Sequence, residues 1–500
     1  AGAPAFRLRS GVRVLFNSLA FAAFFAVVYA GYLATHNRVR SQNLLLLGAG
    51  YAFYGYWDVR FLSLLALSTL IDFVVAQLIQ REESRRRRRL LLAASVSSQL
   101  TILGVFKYFN FFADSFVAVL RVVGFDADPI TLRIMLPVGV SFYTFQTISY
   151  TVDVFRRKLV ACTSLLDFAV FVSFFPQLVA GPIERAGHML PQFSRRRTIS
   201  LEQLNSGFFL LLWGYFQKMA VADRMAAIAD PIFGQCQKHH GADLVLACLA
   251  FTFQIYGDFA GYSNIARGLG KLMGFELMVN FNLPYFSRRP SEFWTRWHIS
   301  LSNWLRDYLF LPLSFALSRR LDGVRWMGLR DDVWIYVGAT LITMLLGGLW
   351  HGASWTFVLW GLYQGLLLVA FRLVSMGARR RRRAPSRTWK AWLTVAQTTL
   401  MFGLTVLGWV LFRSHTLGEA AYIIVNAGLS FTRQTPELAY EITFLLAPLL
   451  AFELWQFRAD DLLVATRQPL VARVLVYFGL LFWLGVFGVR NSMQFIYFQF

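Results

Sequence analysis

The sequence predicts an all-α polytopic membrane protein, and three observations carry that prediction. Of 500 residues, 57% are apolar and only 15% are charged, against roughly a quarter charged in an average soluble domain. Apolar stretches close to the roughly 20 residues that span a bilayer recur from one end of the chain to the other. The strongest charge clusters flank those stretches instead of interrupting them.

Candidate spans lie near 15–35, 43–57, 61–80, 90–113, 135–155, 207–222, 243–261, 333–350, 352–373, 391–412, 441–457 and 474–489. Several are short or broken by Gly and Pro, so about 11 transmembrane helices plus partial or re-entrant helices are expected. Residue 1 is Ala, so the numbered chain is expected to lack its native start, and early apolar spans insert a chain without a cleavable signal peptide. No long hydrophilic block interrupts the pattern, which predicts a single membrane domain over 1–500. Inverted repeats of the transporter kind are not evident.

The net charge of +22 invites a nucleic-acid reading. Position argues against it. Arg85–Arg89 and Arg379–Arg383 each flank a span, as cytoplasmic loops do under the positive-inside rule. No basic stripe interleaved with exposed base-stacking aromatics occurs in a soluble segment, so the expected partner is the lipid bilayer and not nucleic acid. The same rule places both termini outside. A full crossing by 165–182 would put Arg195–Arg197 outside as well, so that stretch reads as a partial or re-entrant element. Cys162, Cys236 and Cys248 show neither CxxC nor a His spacing suited to zinc, and no metal site is predicted.

Between 137 and 364 polar groups collect inside apolar helices, where ionisable residues are costly and point to function. Gln146, Tyr150 and Asp153 fall at i, i+4, i+7, one helical face. Gln254 and Asp258 share another, beside a Gly257/Gly261 GxxxG that lets a second helix approach closely. Interhelical hydrogen bonding explains both stripes as well as a site does, and no nucleophile accompanies them. Over 281–312, Pro284 and Pro290 prevent a continuous helix, and Ser291 is the expected N-cap of the apolar-periodic helix after it. From there Trp294, His298, Leu301 and Leu305 share one helical face, with Asn303 elsewhere. Dense aromatics with Arg predict an interfacial element. His351 lies between two apolar stretches, bracketed by Gly347, Gly348 and Gly352. One helix over 333–373 would run to roughly 60 Å, about twice a bilayer core, so the chain is expected to break at those glycines. Broken backbone at membrane depth lines a protein cavity, and a histidine there accepts a proton near neutral pH.

The stretches "PVGVSFYTFQTISY", "FPQLVAGPIER", "DFAGYSNIARGLGKLMGFEL", "NFNLPY", "FWTRWHISLSNWLRDYLFLPL" and "LGGLWHGASWTFVLWGLYQG" resemble the membrane-bound O-acyltransferase family, in the bacterial branch that serves alginate O-acetylation. The resemblance covers roughly 135–365, several long motifs in one order. It implies a ring of helices around a thin waist, a catalytic histidine at His351 and a second polar position at His298. It also implies an acyl-CoA donor, in this branch acetyl-CoA, on the cytosolic side of a bacterial inner membrane, with no permanently bound cofactor. The acceptor would be a hydroxyl of an envelope or secreted polysaccharide, reached with a periplasmic hydrolase-like partner.

On that reading His351 is the general base, and His298 and Asn303 orient the acyl carbonyl or steady the oxyanion. Trp350, Gln254, Asp258, Gln146 and Tyr150 are candidate substrate-binding residues, and Arg288, Arg289, Arg319 and Arg320 candidate phosphate partners. Ser354, one turn after His351, has nothing beside it to complete a triad. The tail Phe495-Ile-Tyr497-Phe-Gln-Phe500 reads as an interfacial aromatic anchor. It also resembles the C-terminal tyrosine motif of the small partner of a D-alanylating relative, which would make Tyr497 an acyl carrier and a third catalytic residue. A transporter or channel is the rival reading, against which the lack of repeat symmetry and the clustered Trp and His of 281–312 count; a non-catalytic scaffold is a third, and it would lack the His351 that is present.

Overall fold

A computed structural model describes residues 16–125, 137–178, 181–321, 323, 325, 328, 330–378, 386–489, 495 and 496. Regular structure among them is helical throughout, with one isolated parallel bridge between Gly241 and Ala427. The first third comprises α1 (Leu19–Ala34), α2 (Val39–Gly55), α3 (Leu62–Arg81), α4 (Arg85–Leu103), α5 (Phe109–Val122) and α6 (Val140–Phe155). Next come α7 (Leu165–Ser173), α8 (Phe175–Leu178), α9 (Ala186–Ser194), α10 (Leu201–Tyr215), α11 (Asp223–Gly234) and α12 (Ala242–Leu272). Three short helices come after these, α13 (Pro290–Arg296), α14 (Ile299–Leu305) and α15 (Leu311–Leu321). The chain ends with α16 (Asp331–His351), α17 (Trp355–Ala378), α18 (Arg387–Arg413), α19 (Leu417–Asn426), α20 (Thr435–Ala459) and α21 (Leu470–Phe487).

Eight helical stretches among the described residues are long and apolar enough to cross a bilayer, and α1 is a shorter apolar helix. Helices α2, α6 and α10 stand where the sequence predicts spans but carry more polar residues. The reason is burial: Val140–Thr151 of α6 are all buried. A helix walled off from lipid by its neighbours needs no apolar surface on every side. By contrast α21 is almost wholly peripheral, with Leu470, Val471, Leu475 and Phe478 exposed, as lipid-facing residues should be.

The central element is α12, about 46 Å long at 1.5 Å per residue and buried along most of its length. Helix α10 lies against it at backbone contact. A Cβ on Gly214 would stand 2.7 Å from the carbonyl oxygen of Gly261, and a Cβ on Gly261 would stand 2.7 Å from that of Gly214. The expected close approach at the GxxxG is therefore present, and α10 is the helix that makes it.

Among the described residues three helices contain a π-helical turn, at Gly104–Tyr108 between α4 and α5, Phe216–Ala222 between α10 and α11, and Arg306–Phe310 between α14 and α15. Such turns cluster at functional sites. Two of these carry a lysine withdrawn from solvent, the half-buried Lys107 and the buried Lys218.

The stretch expected to be partial is so. Helix α7 has nine residues and α8 four, and 181–184 continues as buried non-helical chain. The 281–312 reading needs two corrections. Helix α13 starts at Pro290 with Arg289 in the cap position, so Ser291 is not the N-cap. The face shared by Trp294, His298, Leu301 and Leu305 is also not continuous, because the chain turns at Trp297–His298 between α13 and α14. Arg379–Arg383 and Tyr497 lie outside the described residues.

Candidate active site

Helix α16 stops at His351 because Gly352 is extended, with φ −160° and ψ 149°. A Cβ at Gly352 would lie 2.1 Å from the Phe357 ring, and one at Gly348 would lie 2.3 Å from the Phe357 carbonyl oxygen. Only glycine lets α17 fold back this tightly on α16. Ending a helix inside the protein strands its last carbonyls. The π turn before α5 supplies the partners. Lys107 Nζ donates to the carbonyls of Trp350 and, at 3.3 Å, His351. Tyr108 Oη donates to Leu349 O at 2.9 Å. A cation at a helix C-terminus also complements its dipole.

The imidazole of His351 is 4% exposed and enclosed by aromatics. The rings of Trp350 and Trp360 lie 5.0 Å away and that of Phe412 5.5 Å. The fourth neighbour is His298, ring centre to ring centre 6.4 Å. The two histidines predicted from the sequence, 53 positions apart in the numbering, thus share one chamber.

His298 occupies the left-handed region, φ 42° and ψ 54°, at the start of α14. For a non-glycine residue that conformation costs roughly 1–2 kcal/mol and requires an external hold. Asn280 provides it. Its carbonyl accepts from Ile299 N at 2.9 Å, and its Oδ1 accepts from Ser300 N at 3.2 Å and Ser300 Oγ at 2.9 Å. The same Oδ1 lies 3.1 Å from His298 Nδ1. A backbone N–H can only donate, so this oxygen is an acceptor, and the neutral ring therefore carries its proton on Nδ1. Nε2 is then a bare lone pair, buried and without a hydrogen-bond partner among the described residues.

The "GPIER" motif backs this arrangement. Ile183 N donates to Ser300 Oγ at 3.0 Å, and Glu184 Oε1 accepts from Met278 N at 2.6 Å. Glu184 Oε2 also lies 2.9 Å from His188 Nδ1, which raises the His188 pKa above the ordinary 6.5 against the opposing effect of burial.

The indoles around the chamber were missed by sequence reasoning, Trp350 excepted. The Nε1–H groups of Trp294, Trp350 and Trp360 are buried and unpaired among the described residues. Trp294 stands 5.9 Å from Trp360 and also lines a cavity of about 270 Å³ with Ser291, Asn303, Arg306, Thr340 and Thr343. That is near the lower end of the roughly 300–1,000 Å³ common for ligand sites. Asn303 is thus in this neighbouring cavity.

Other predicted site residues stand elsewhere. Tyr150 Oη accepts from Cys162 N at 2.9 Å, and its ring packs 4.5 Å from Phe168. Gln146 is buried in α6, whose Phe142 and Phe145 approach Trp350 at 5.7 and 5.3 Å. Gln254 Nε2 reaches Asp230 at 3.5 Å, beside Arg413, which pairs with Asp230 at 3.0 Å. Asp258 is ion-paired to Lys218 at 2.6 Å.

Comparison with known proteins identifies the family. The family model of the membrane-bound O-acyltransferases matches residues 50–411. A protein of Pseudomonas aeruginosa named "Probable alginate O-acetylase AlgI" is 40% identical over 428 residues, 85% of this chain and 77% of that protein. Its namesake from Azotobacter vinelandii is 39% identical over 421 residues, 84% of this chain and 78% of that one. The peptidoglycan O-acetyltransferase of Helicobacter pylori is 32% identical, covering 82% of this chain and 79% of its own length. The chain belongs to the membrane-bound O-acyltransferase family and is an acyltransferase.

Proposed function

We propose that this acyltransferase moves an acetyl group from coenzyme A, on the cytoplasmic side of a bacterial inner membrane, to a hydroxyl of an envelope or secreted polysaccharide. The observation that carries the reading is the pair of imidazoles 6.4 Å apart in an aromatic chamber. The names of the relatives support the acetyl group and the glycan class: they share O-acetylation and differ in the polymer.

His351 takes the proton of the acceptor hydroxyl as its oxygen adds to the thioester carbonyl, a role worth typically 10²–10⁴-fold. The tetrahedral intermediate then expels the coenzyme A thiolate, which collects that proton from the imidazolium, leaving an ester and free thiol. His298 presents an acceptor at Nε2, so we assign it to accept from a second hydroxyl of the acceptor sugar and so position it, rather than to stabilise an oxyanion, which needs a donor. Oxyanion donors are available in the indole N–H groups of Trp350 and Trp360, worth about 10²–10³-fold when so aimed. The cavity beside Trp294 suits the pantetheine arm, with Arg306 at its wall; Arg288 and Arg289, which precede the lining residue Ser291 in the chain, remain the candidate phosphate partners.

Transfer is direct or runs through Tyr497. A phenol has a pKa of about 10, so an acyl-tyrosine ester keeps transfer potential that a sugar ester has lost. A periplasmic hydrolase-like partner would then complete delivery.

Reconstituted protein with labelled acetyl-coenzyme A tests the reading. His351→Ala abolishes transfer and leaves a folded protein, and near wild-type turnover by that variant refutes the mechanism. Tyr497→Phe keeps the aromatic anchor and removes only the hydroxyl. Loss of polymer acetylation, with an acetylated C-terminal peptide in the wild type, supports the relay, and unchanged acetylation leaves direct transfer.

A further inference from the structure

The second of the π-turn lysines sits in an ion cluster that the chemistry above does not use. Lys218 Nζ lies 2.8 Å from Asp223 Oδ1 and 2.6 Å from Asp258 Oδ1, and all three side chains are 2–4% exposed. Asp258 is 16 positions into α12, about 24 Å from its start at 1.5 Å per residue. Two carboxylates facing one ammonium leave oxygens in need of donors at a depth where water is scarce. Asp223 Oδ2 indeed has no hydrogen-bond partner among the described residues.

Asp258 Oδ2 does have one, and it comes from the far end of the chain. Ile496 N donates to it at 2.6 Å. Phe495 and Ile496 are 0% and 2% exposed. The Phe495 ring packs 4.3 Å from Tyr262 and 5.7 Å from Phe259, and Phe259 in turn lies 4.6 Å from His298. The approach to this point is also held: Arg224 Nε donates to Phe487 O at 2.7 Å, and Val489 N donates to Met219 O at 3.1 Å. The π turn that carries Lys218 and Met219 and the first turn of α11 therefore both hold the chain as it leaves α21.

We infer that Lys218, Asp223 and Asp258 form a binding site for the chain's own C-terminal segment, recognising a backbone N–H through Asp258 and an aromatic side chain through Tyr262 and Phe259. The ligand is a peptide segment. The site places residues 495–496 one aromatic ring from His298. It extends the proposed function by assigning a seat to the tail, and it stands whether or not Tyr497 carries an acyl group.

The test reads tail accessibility rather than turnover. Ile496→Cys is introduced into full-length protein whose Cys162, Cys236 and Cys248 are replaced by Ala, and labelled with a membrane-impermeant maleimide. Labelling is expected to be slow with the cluster intact and at least tenfold faster with Asp258→Leu. Asp258→Leu leaves Lys218 paired with Asp223, and because any charge stranded in the buried cluster can unfold the protein, the triple variant Lys218→Met/Asp223→Leu/Asp258→Leu removes all three charges and is checked by size-exclusion profile. Tenfold faster labelling in that folded triple variant supports the site, and labelling as slow as in the parent overturns it. Tyr497→Phe in the same background is expected to leave labelling unchanged, so failure of the relay and failure of the docking site give different results.

Discussion

Asn280 Oδ1 receives the Nδ1–H of His298 at 3.1 Å while the Asn280 carbonyl takes the N–H of Ile299 at 2.9 Å. One residue thus fixes both the imidazole and the bend beneath it. Removing its side chain frees the tautomer and releases Ser300 N from the turn, while the main-chain bond to Ile299 remains. Asn280→Ala should lower turnover by about 10–100-fold, and it leaves Ser300 and Ser263 short of a partner, at roughly 1–3 kcal/mol. Asn280→Asp keeps the acceptor and should retain more activity than the alanine variant. Turnover in proteoliposomes with a parallel thermal melt separates the two effects. Equal activity for wild type and Asn280→Ala would remove Asn280 from the mechanism.

The indoles are tested by keeping the ring and deleting the donor. Trp360→Phe and Trp350→Phe should each hold the aromatic wall. Whichever indole meets the oxyanion should lose about 10²–10³-fold in kcat with little change in the donor KM. A rise in KM at constant kcat would make that indole a substrate-binding group instead.

Topology is read from the arginine runs. Residues 85–89 and 379–383 are expected in the cytoplasm and both termini outside. Single cysteines at 86 and 380 should stay unlabelled by an impermeant reagent in intact cells and react after lysis. Labelling of position 380 from outside would invert the assignment.

His188 gives a pH dependence with a definite sign. Its pKa is raised by the Glu184 hydrogen bond, with Glu276 adding to it. Protonation therefore favours the folded state. The contribution is complete below the ordinary imidazole value of 6.5 and fades as pH rises through the raised one. The side chain is 42% exposed, so the effect is small. The melting temperature of wild type should exceed that of His188→Gln at pH 6, and the gap should close as pH rises through the raised value. A gap that is constant across this range would mean the pair does not titrate.

The break at His351 was legible because its cause is local: Gly348 and Gly352 stand beside it, and a helix through 373 would overrun the bilayer. The turn at His298 was not. Trp294, His298, Leu301 and Leu305 keep helical spacing throughout, and what bends the chain is Asn280, 18 positions earlier, acting through space. The indole donors were equally hidden, since a tryptophan at a membrane interface reads as an anchor until its neighbours are known. Lys107 and Lys218 did leave a signal. They are two of six lysines in the chain and sit in otherwise apolar runs, where a charge calls for a partner. Asp258, which reads from the sequence as a substrate contact, is engaged by Lys218 and Ile496.

The π turns at 104–108 and 216–222 make these helices keyed shafts. Each extra residue offsets the angular phase of everything beyond it, by about 100° in an α-helix of 3.6 residues per turn. Excising one residue from 104–108 would regularise the helix yet swing Lys107 and Tyr108 away from the carbonyls they cap. Chain length is therefore more tightly constrained here than chemical identity. A scan comparing single-residue deletions with alanine substitutions at 104–106 should find the deletions inactive and the substitutions largely tolerated.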